Sequence, residues 1–208
     1  LRDSIVSENI ADYGGGILNK GKATISDSSI SGNYAIYGAG IYNFDHGELS
    51  IGDSYIGGNI AEYGGGIFNS LYSSLNLFGT SFISDNGATV GGGVYNFGHS
   101  TVSLGNSSHI SGNDATVGGG VYSSDASSVT LDNHSDITNN KALFGGGIYS
   151  SNYSSVSLFD KSKVKNNAAT LGGGILSESD GQVMLDGDGE ISENLAESGA
   201  GIFSFDSS

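Results

Sequence analysis

The chain contains no cysteine, no proline and no tryptophan, and only seven of its 208 residues are lysine or arginine. The absence of cysteine excludes disulfides and thiolate metal sites. Seven basic against 22 acidic residues give a formal net charge of −15. Because a phosphate backbone is bound by clustered basic side chains, this balance excludes nucleic acid as a partner. No apolar run approaches the ~18 residues of a membrane-spanning helix, so we expect no membrane insertion by this segment.

Glycine and serine are abundant instead, with 36 residues of each. Such a composition is typical of flexible linkers. Leucine, isoleucine, valine and phenylalanine nevertheless make up about a quarter of the chain, above the ~20% below which a chain fails to build a core. The glycines are also periodic. The sequence therefore predicts a folded chain.

A repeat of about 27 residues runs through the chain. Triplets of the form Gly-Gly-Gly or Gly-Ala-Gly begin at Gly14, Gly38, Gly64, Gly91, Gly118, Gly145, Gly172 and Gly199. Five residues before each triplet stands an asparagine, at Asn9, Asn33, Asn59, Asn86, Asn113, Asn140, Asn167 and Asn194. An alanine follows each asparagine by two residues, and an isoleucine or valine precedes it by three. Self-similarity at this period indicates a solenoid.

Three short stretches of each unit alternate apolar and polar residues, as strands with one buried face do. Turn-forming glycine, asparagine, aspartate and serine separate them, and none has helical periodicity. Three strands in about 27 residues predict an all-β, single-stranded parallel β-helix, in which each strand pairs with its equivalent about 4.8 Å away. We expect residues 1–208 to form one array of eight coils. The array is expected to be a segment of a longer one or a stackable subunit.

Stacking of equivalent coils assigns a role to each recurring residue. The asparagine column is predicted to form a buried structural ladder of side-chain amides. The alanines are expected where only a methyl group fits. The glycine triplets are expected at a bend that needs positive φ or a close approach of two backbones.

An aromatic column follows the triplets by two residues and is predicted to face outward, because the preceding isoleucine or valine faces inward. Its aromatic members, a candidate binding stripe, are Tyr42, Phe68, Tyr95, Tyr122, Tyr149 and Phe203. Such a stripe could stack on sugar rings or dock another rod, or its rings could stabilise the sheet by contacting each other. A second column, Tyr13, Tyr37 and Tyr63, immediately precedes the first three triplets and is replaced by other residues later.

The polar residues do not assemble into a catalytic or metal-binding pattern. Residues 186–190, Asp-Gly-Asp-Gly-Glu, resemble part of a calcium loop, but the full spacing of an EF-hand is missing and these residue types also form turns. Polysaccharide-cleaving β-helices require clustered carboxylates or a basic residue beside acidic ones. The four histidines, His46, His99, His109 and His134, share no register. We therefore expect a chain that is not an enzyme and has no catalytic residues or metal ligands; no cofactor is expected, with calcium at residues 186–190 as the alternative.

The paired signals I-x-x-N and G-G-[AG]-[IVL]-[YF] resemble the F-x-x-N and G-G-A-I repeats of the chlamydial polymorphic outer-membrane proteins. The segment from Ile83 to Asn86, followed by Gly91 to Tyr95, is a representative match, although isoleucine or valine replaces the family's phenylalanine. The similarity covers essentially the whole chain. It implies a right-handed parallel β-helix that is extracellular or lies on a cell surface, as in adhesin-like proteins.

The expected function is that of a non-catalytic extracellular β-helix rod with a structural or adhesive role, as a surface passenger, stalk or filament subunit. The alternative is a carbohydrate-binding or polysaccharide-cleaving β-helix. The expected partners are surface glycans and either a second copy, joined head to tail, or neighbouring repeats of a longer chain. Axial partners are expected because a β-helix exposes strand edges and apolar interior at each end.

Overall fold

A computed structural model describes residues 1–205 and shows a parallel β-solenoid, which confirms the predicted all-β fold. Within these residues there is no helix. Every strand pair is parallel and joins equivalent positions of consecutive coils, as in Ile83 with Ile110 and Tyr95 with Tyr122. The coils contribute to four sheets in a fixed order along the chain, although only four coils contribute to the second, and we number the sheets in that order.

The strands are three to five residues long, and each sheet collects one strand from successive coils. The first sheet consists of Ile5–Ser7, Ser29–Ser31, Tyr55–Gly57, Phe82–Ser84, His109–Ser111, Asp136–Thr138, Lys163–Lys165 and Glu190–Ser192. The second consists of Tyr34–Tyr37, Ile60–Tyr63, Gly87–Val90 and Asp114–Val117. The third consists of Ile17–Asn19, Ile41–Phe44, Ile67–Ser70, Val94–Phe97, Val121–Ser124, Ile148–Ser150, Ile175–Glu178 and Ile202–Phe205. The fourth consists of Lys22–Ser26, Glu48–Gly52, Ser74–Phe78, Thr101–Leu104, Ser128–Leu131, Ser155–Leu158 and Gln182–Leu185.

Two details differ from the sequence prediction. The eight repeats wind into about seven complete turns rather than eight, because the fourth sheet has seven strands. Each coil was also predicted to hold three strands, whereas the segment after the ladder asparagine adds a fourth in part of the solenoid. In Gly87–Val90 the inner position is the small Ala88 and Thr89 is exposed. This strand therefore lacks the buried large apolar residues that mark the strands of the other three sheets.

The core is a thin column of isoleucine, valine and leucine side chains along the axis. The first and third sheets each contribute one such residue per coil, as at Ile110 and Val121, and the fourth contributes two, as at Val129 and Leu131. These four side chains are at most 1% exposed. The inward register predicted from the period-two alternation is therefore confirmed.

The asparagine ladder is present and lies in the turn between the first and second sheets. The backbone N–H and side-chain Nδ2 of Asn86 both donate to Oδ1 of Asn113, each at 3.0 Å. Asn113 donates in the same way to Asn140, at 3.0 and 2.9 Å. Each Nδ2 also donates to a backbone carbonyl of the preceding coil, as from Asn86 to Ile56 at 3.0 Å. The ladder residues from Asn33 to Asn167 are buried, whereas Asn9 is exposed and Asn194 is half-buried in the end coils.

The glycine triplets combine both predicted requirements. Gly91, the first residue of its triplet, has a φ of +68°. A Cβ atom on Gly92 would lie 2.5 Å from the carbonyl oxygen of Gly119, and one on Gly93 would lie 2.6 Å from that of Gly120. Because real side chains essentially never approach a backbone oxygen so closely, a side chain at either position requires the backbone to shift. The middle position is alanine in two triplets, at Ala39 and Ala200, whereas the third position is glycine in all eight.

The ladder predicts a large cost for Asn113→Ala. The substitution removes an acceptor and leaves two buried donors of Asn86 unpaired. We therefore expect the free energy of unfolding to fall by about 1–3 kcal/mol for each donor that loses its acceptor. The control is Asn76→Ala on the exposed face of the fourth sheet, which should change it by less than about 0.5 kcal/mol. Urea unfolding of the two variants measures the difference, and equal stabilities would contradict the ladder's role.

The close backbone approach predicts that Gly93→Ala destabilises the solenoid by at least about 1–3 kcal/mol, because two coils must separate to admit the methyl group at a position that is glycine in all eight triplets. Gly21→Ala is the matched control. Nothing lies within 4 Å of a Cβ built on Gly21, and its φ is not positive. Thermal unfolding should therefore show a lower melting temperature for the first variant only; tolerance of alanine at both sites would refute the steric explanation.

Candidate binding surface

The aromatic stripe lies on the outer face of the third sheet. In Ile41–Phe44, Ile41 and Asn43 point inward and are fully buried, while Tyr42 points outward and is half-buried. Among the six predicted stripe residues, Tyr42, Tyr95, Tyr122, Tyr149 and Phe203 are half-buried and Phe68 is buried. The stripe is therefore a continuous outer column whose side chains are partly covered.

Four stripe rings form one parallel stack along the solenoid axis. The ring centroids of Phe68 and Tyr95 are 4.6 Å apart, those of Tyr95 and Tyr122 are 4.8 Å apart, and those of Tyr122 and Tyr149 are 5.2 Å apart. The interplanar angles in these pairs are 8°, 21° and 11°. Because each ring covers the face of its neighbour, the inner rings present edges and hydroxyl groups to solvent. This geometry stabilises the sheet and leaves no open ring face within the stack for a sugar.

The second aromatic column runs beside the stripe, at the ends of the second-sheet strands. Tyr37 stacks on Tyr13 and Tyr63 at 5.2 and 5.3 Å. It also contacts Phe68 of the stripe edge-on, with the centroids 5.5 Å apart. The two columns form the walls of a trough, which we define as the surface between the stripe and the residues immediately before the triplets. In the later coils Val90, Val117, Phe144 and Leu171 take the places of these tyrosines.

Two phenol groups of the stripe, those of Tyr95 and Tyr149, have a raised pKa. Burial raises the pKa of Tyr95 well above its ordinary value, and the adjacent Tyr122 adds to the shift. The pKa of Tyr149 is also strongly raised, first by burial and then by its hydrogen bond to the Glu178 carboxylate. The Tyr149 hydroxyl therefore acts as a donor to Glu178.

A second polar ladder, which the sequence analysis did not assign, lies inside the third sheet. Asn43 Nδ2 donates to Asn69 Oδ1 at 2.8 Å, and Asn69 Nδ2 donates to Asn96 Oδ1 at 2.9 Å. The ladder continues from Asn96 to the hydroxyl of Ser123 at 3.2 Å. The recurring asparagine or serine two residues after the inward isoleucine or valine was the signal that could have identified it.

The acidic turn at 186–190 behaves as a turn. Asp186 accepts a hydrogen bond from the N–H of Gly187 at 2.8 Å, and Gly187 and Asp188 both have positive φ. Within residues 1–205 no three histidine, aspartate or glutamate side chains are grouped so that they could hold a metal ion.

The histidines remain apart from one another. His46 lies 3.1 Å from a carboxylate oxygen of Asp45 and stacks on Tyr72, and His99 stacks on the other side of Tyr72. His109 pairs with Asp136 at 3.4 Å in the first sheet.

Among the described residues no helix is long and apolar enough to cross a membrane.

The raised tyrosine pKa values predict a loss of stability in alkali. Tyrosine in the unfolded chain ionises near pH 10, whereas Tyr95 and Tyr149 stay protonated in the fold. Each therefore contributes stability that is present below about pH 10 and is lost as the pH rises above it. Urea unfolding across this range should show a smaller loss for Tyr95→Phe than for the unaltered chain. Tyr153→Phe, at a side chain 72% exposed, is the control and should lose as much stability as the unaltered chain. A smaller loss for Tyr153→Phe than for Tyr95→Phe would contradict the assignment.

Comparison with protein-family models, with curated proteins and with solved structures gives no match for this chain. The geometry of the coils, the two amide ladders and the trough is therefore the basis on which a function is assigned.

Proposed function

We propose that the chain is a non-catalytic rod, extracellular or on a cell surface, that serves as a passenger, stalk or filament subunit. The observation that carries the proposal is the unbroken repetition of the inter-coil bonds. The asparagine ladder continues from Asn9 to Asn194, with each residue donating to the next. Because each coil is hydrogen-bonded to the next in this way, the solenoid is a stiff, extended body with a long lateral surface, as a stalk requires.

We also propose that the repeat belongs to the class found in the chlamydial polymorphic outer-membrane proteins. Both family signals coincide with features that hold the coils together. The asparagine of I-x-x-N is the ladder residue, and the glycine triplet forms the bend at which the backbones of successive coils approach closely. The right-handed winding and the cell-surface localisation belong to this proposal.

The end coils support axial association. Because each ladder asparagine donates toward the following coil, one end presents the Oδ1 acceptor of Asn9 and the other presents the backbone N–H of Asn194. The apolar core column is uncovered beside them, since Val6 and Ile191 are half-buried whereas their equivalents from Ile30 to Val164 are fully buried. These faces are complementary, so either end accepts a further coil, from neighbouring repeats or from a second copy. A head-to-tail contact of this kind propagates without closing.

Sedimentation and electron microscopy of the 208-residue chain test the axial contact. We expect fibres whose length increases with protein concentration. Val6→Lys, which places a charge at the open end of the apolar core column, should abolish them, whereas Ile36→Lys, on the lateral surface, should not. A monomer at all concentrations, or equal effects of both variants, would contradict self-association.

A second experiment distinguishes a structural rod from a carbohydrate-binding or polysaccharide-cleaving protein. The chain is applied to a glycan array and incubated with polysaccharides, and release of reducing ends is measured. The rod proposal predicts no release. Release that survives purification to homogeneity would favour the polysaccharide-cleaving alternative.

A further inference from the structure

The trough is filled in its first coils and open in its later ones. Tyr13, Tyr37 and Tyr63 fill the early part by stacking on each other and against the stripe. Phe144 and Leu171 occupy the equivalent positions later and do not continue this stack. A cavity of about 210 Å³ lies there, between these two side chains and the stripe.

The side chains that line this cavity are mainly apolar. Tyr149, the last ring of the parallel stack, and the buried Leu176 contribute the stripe side, and Phe205 contributes from the strand that pairs with Glu178. Glu178 also lines the cavity and accepts a hydrogen bond from the Tyr149 hydroxyl. The volume is smaller than the ~300–1,000 Å³ of sites for drug-sized ligands, so it suits a small molecule.

Glu178 has no compensating positive charge. All seven basic residues of the chain are in the described part, and none of the ion pairs within residues 1–205 includes Glu178. Within this cavity it accepts a hydrogen bond from the neutral phenol of Tyr149. Asp180 lines an adjoining depression that Glu178 shares, which adds a second negative charge. A carboxylate beside apolar walls is stabilised by a cation with which it can form a charge-assisted hydrogen bond.

We propose that this cavity, which we call the Glu178 pocket, binds a small organic ammonium ion with an apolar stem. The ammonium group donates to the Glu178 carboxylate and lies beside the Tyr149 ring, where a cation–π interaction adds to the attraction. The stem packs between Phe144, Leu171 and Leu176. The net charge of −15 raises the local concentration of such cations. The site lies on the outer face of the solenoid, and of its lining residues only Phe205 belongs to the last strand of the third sheet, so it does not depend on an axial contact.

Calorimetry of the 208-residue chain with matched probes tests the proposal. The probes are 2-phenylethylammonium, the neutral 2-phenylethanol and the anionic phenylacetate, which share one ring and one stem. We expect the ammonium to bind about tenfold or more tightly than the alcohol, as a charge-assisted hydrogen bond provides, and the anion not to bind. Equal binding of ammonium and alcohol would overturn the proposal without any variant.

Two charge-matched variants separate the pocket from general attraction to an acidic surface. Glu178→Gln and Glu48→Gln change the net charge equally, and Glu48 lies elsewhere, in an exposed pair with Lys22. We expect Glu178→Gln to abolish the preference for the ammonium over the alcohol and Glu48→Gln to retain it. Equal effects of the two variants would overturn the proposal.

A third variant tests the apolar wall. Phe144→Ala should weaken both the ammonium and the alcohol by a similar factor, because it removes packing area and no charge. Melting temperatures of all variants establish that they are folded. In nuclear magnetic resonance spectra, 2-phenylethylammonium should shift the ring protons of Tyr149; shifts confined to other tyrosines would place the probe elsewhere and contradict the Glu178 pocket.

Discussion

The hydrogen bond from one asparagine side chain to the next is the interaction on which the rest of the solenoid depends. It requires equivalent residues of successive coils to lie one strand spacing apart, about 4.8 Å. After the first coil, each ladder Oδ1, as in Asn113, accepts two donors from the preceding coil, and each Nδ2 also donates to a backbone carbonyl. An insertion that shifted one coil would leave several buried polar groups unpaired. The ladder therefore fixes the register of all four sheets.

A uniform interior leaves the exterior free to vary. The inward positions hold isoleucine, valine, leucine, asparagine and serine in every complete coil, because each must match its neighbours along the axis. The outward positions carry no such constraint. The trough changes from stacked tyrosines around Tyr37 to the smaller Val117 and the open cavity beside Tyr149. Differences in function along such a rod are consequently found in its outer columns.

The sequence predicted the features that repeat and missed those that depend on contacts between columns. Ile110, Asn113 and Gly118 recur at fixed spacing, and the parallel fold, the buried ladder and the glycine bend followed from them. The second sheet was missed because Ala88 faces inward in place of a large apolar residue. The contact of Tyr149 with Glu178 was also missed, since it joins different outward positions of neighbouring coils. Likewise, the stripe was predicted to face outward, but the covering of Phe68 by Tyr37 was not foreseen.

Hydrogen exchange of asparagine side-chain amides, measured by nuclear magnetic resonance, tests the central claim most directly. Ladder amides exchange only when coils separate, because each is buried and bonded to the next coil. We predict that the Nδ2 protons of Asn59, Asn86 and Asn113 exchange slowly, at rates that follow global unfolding. The exposed Asn76 provides the reference for a solvated amide. Exchange of the ladder amides as fast as that of Asn76 would contradict the account.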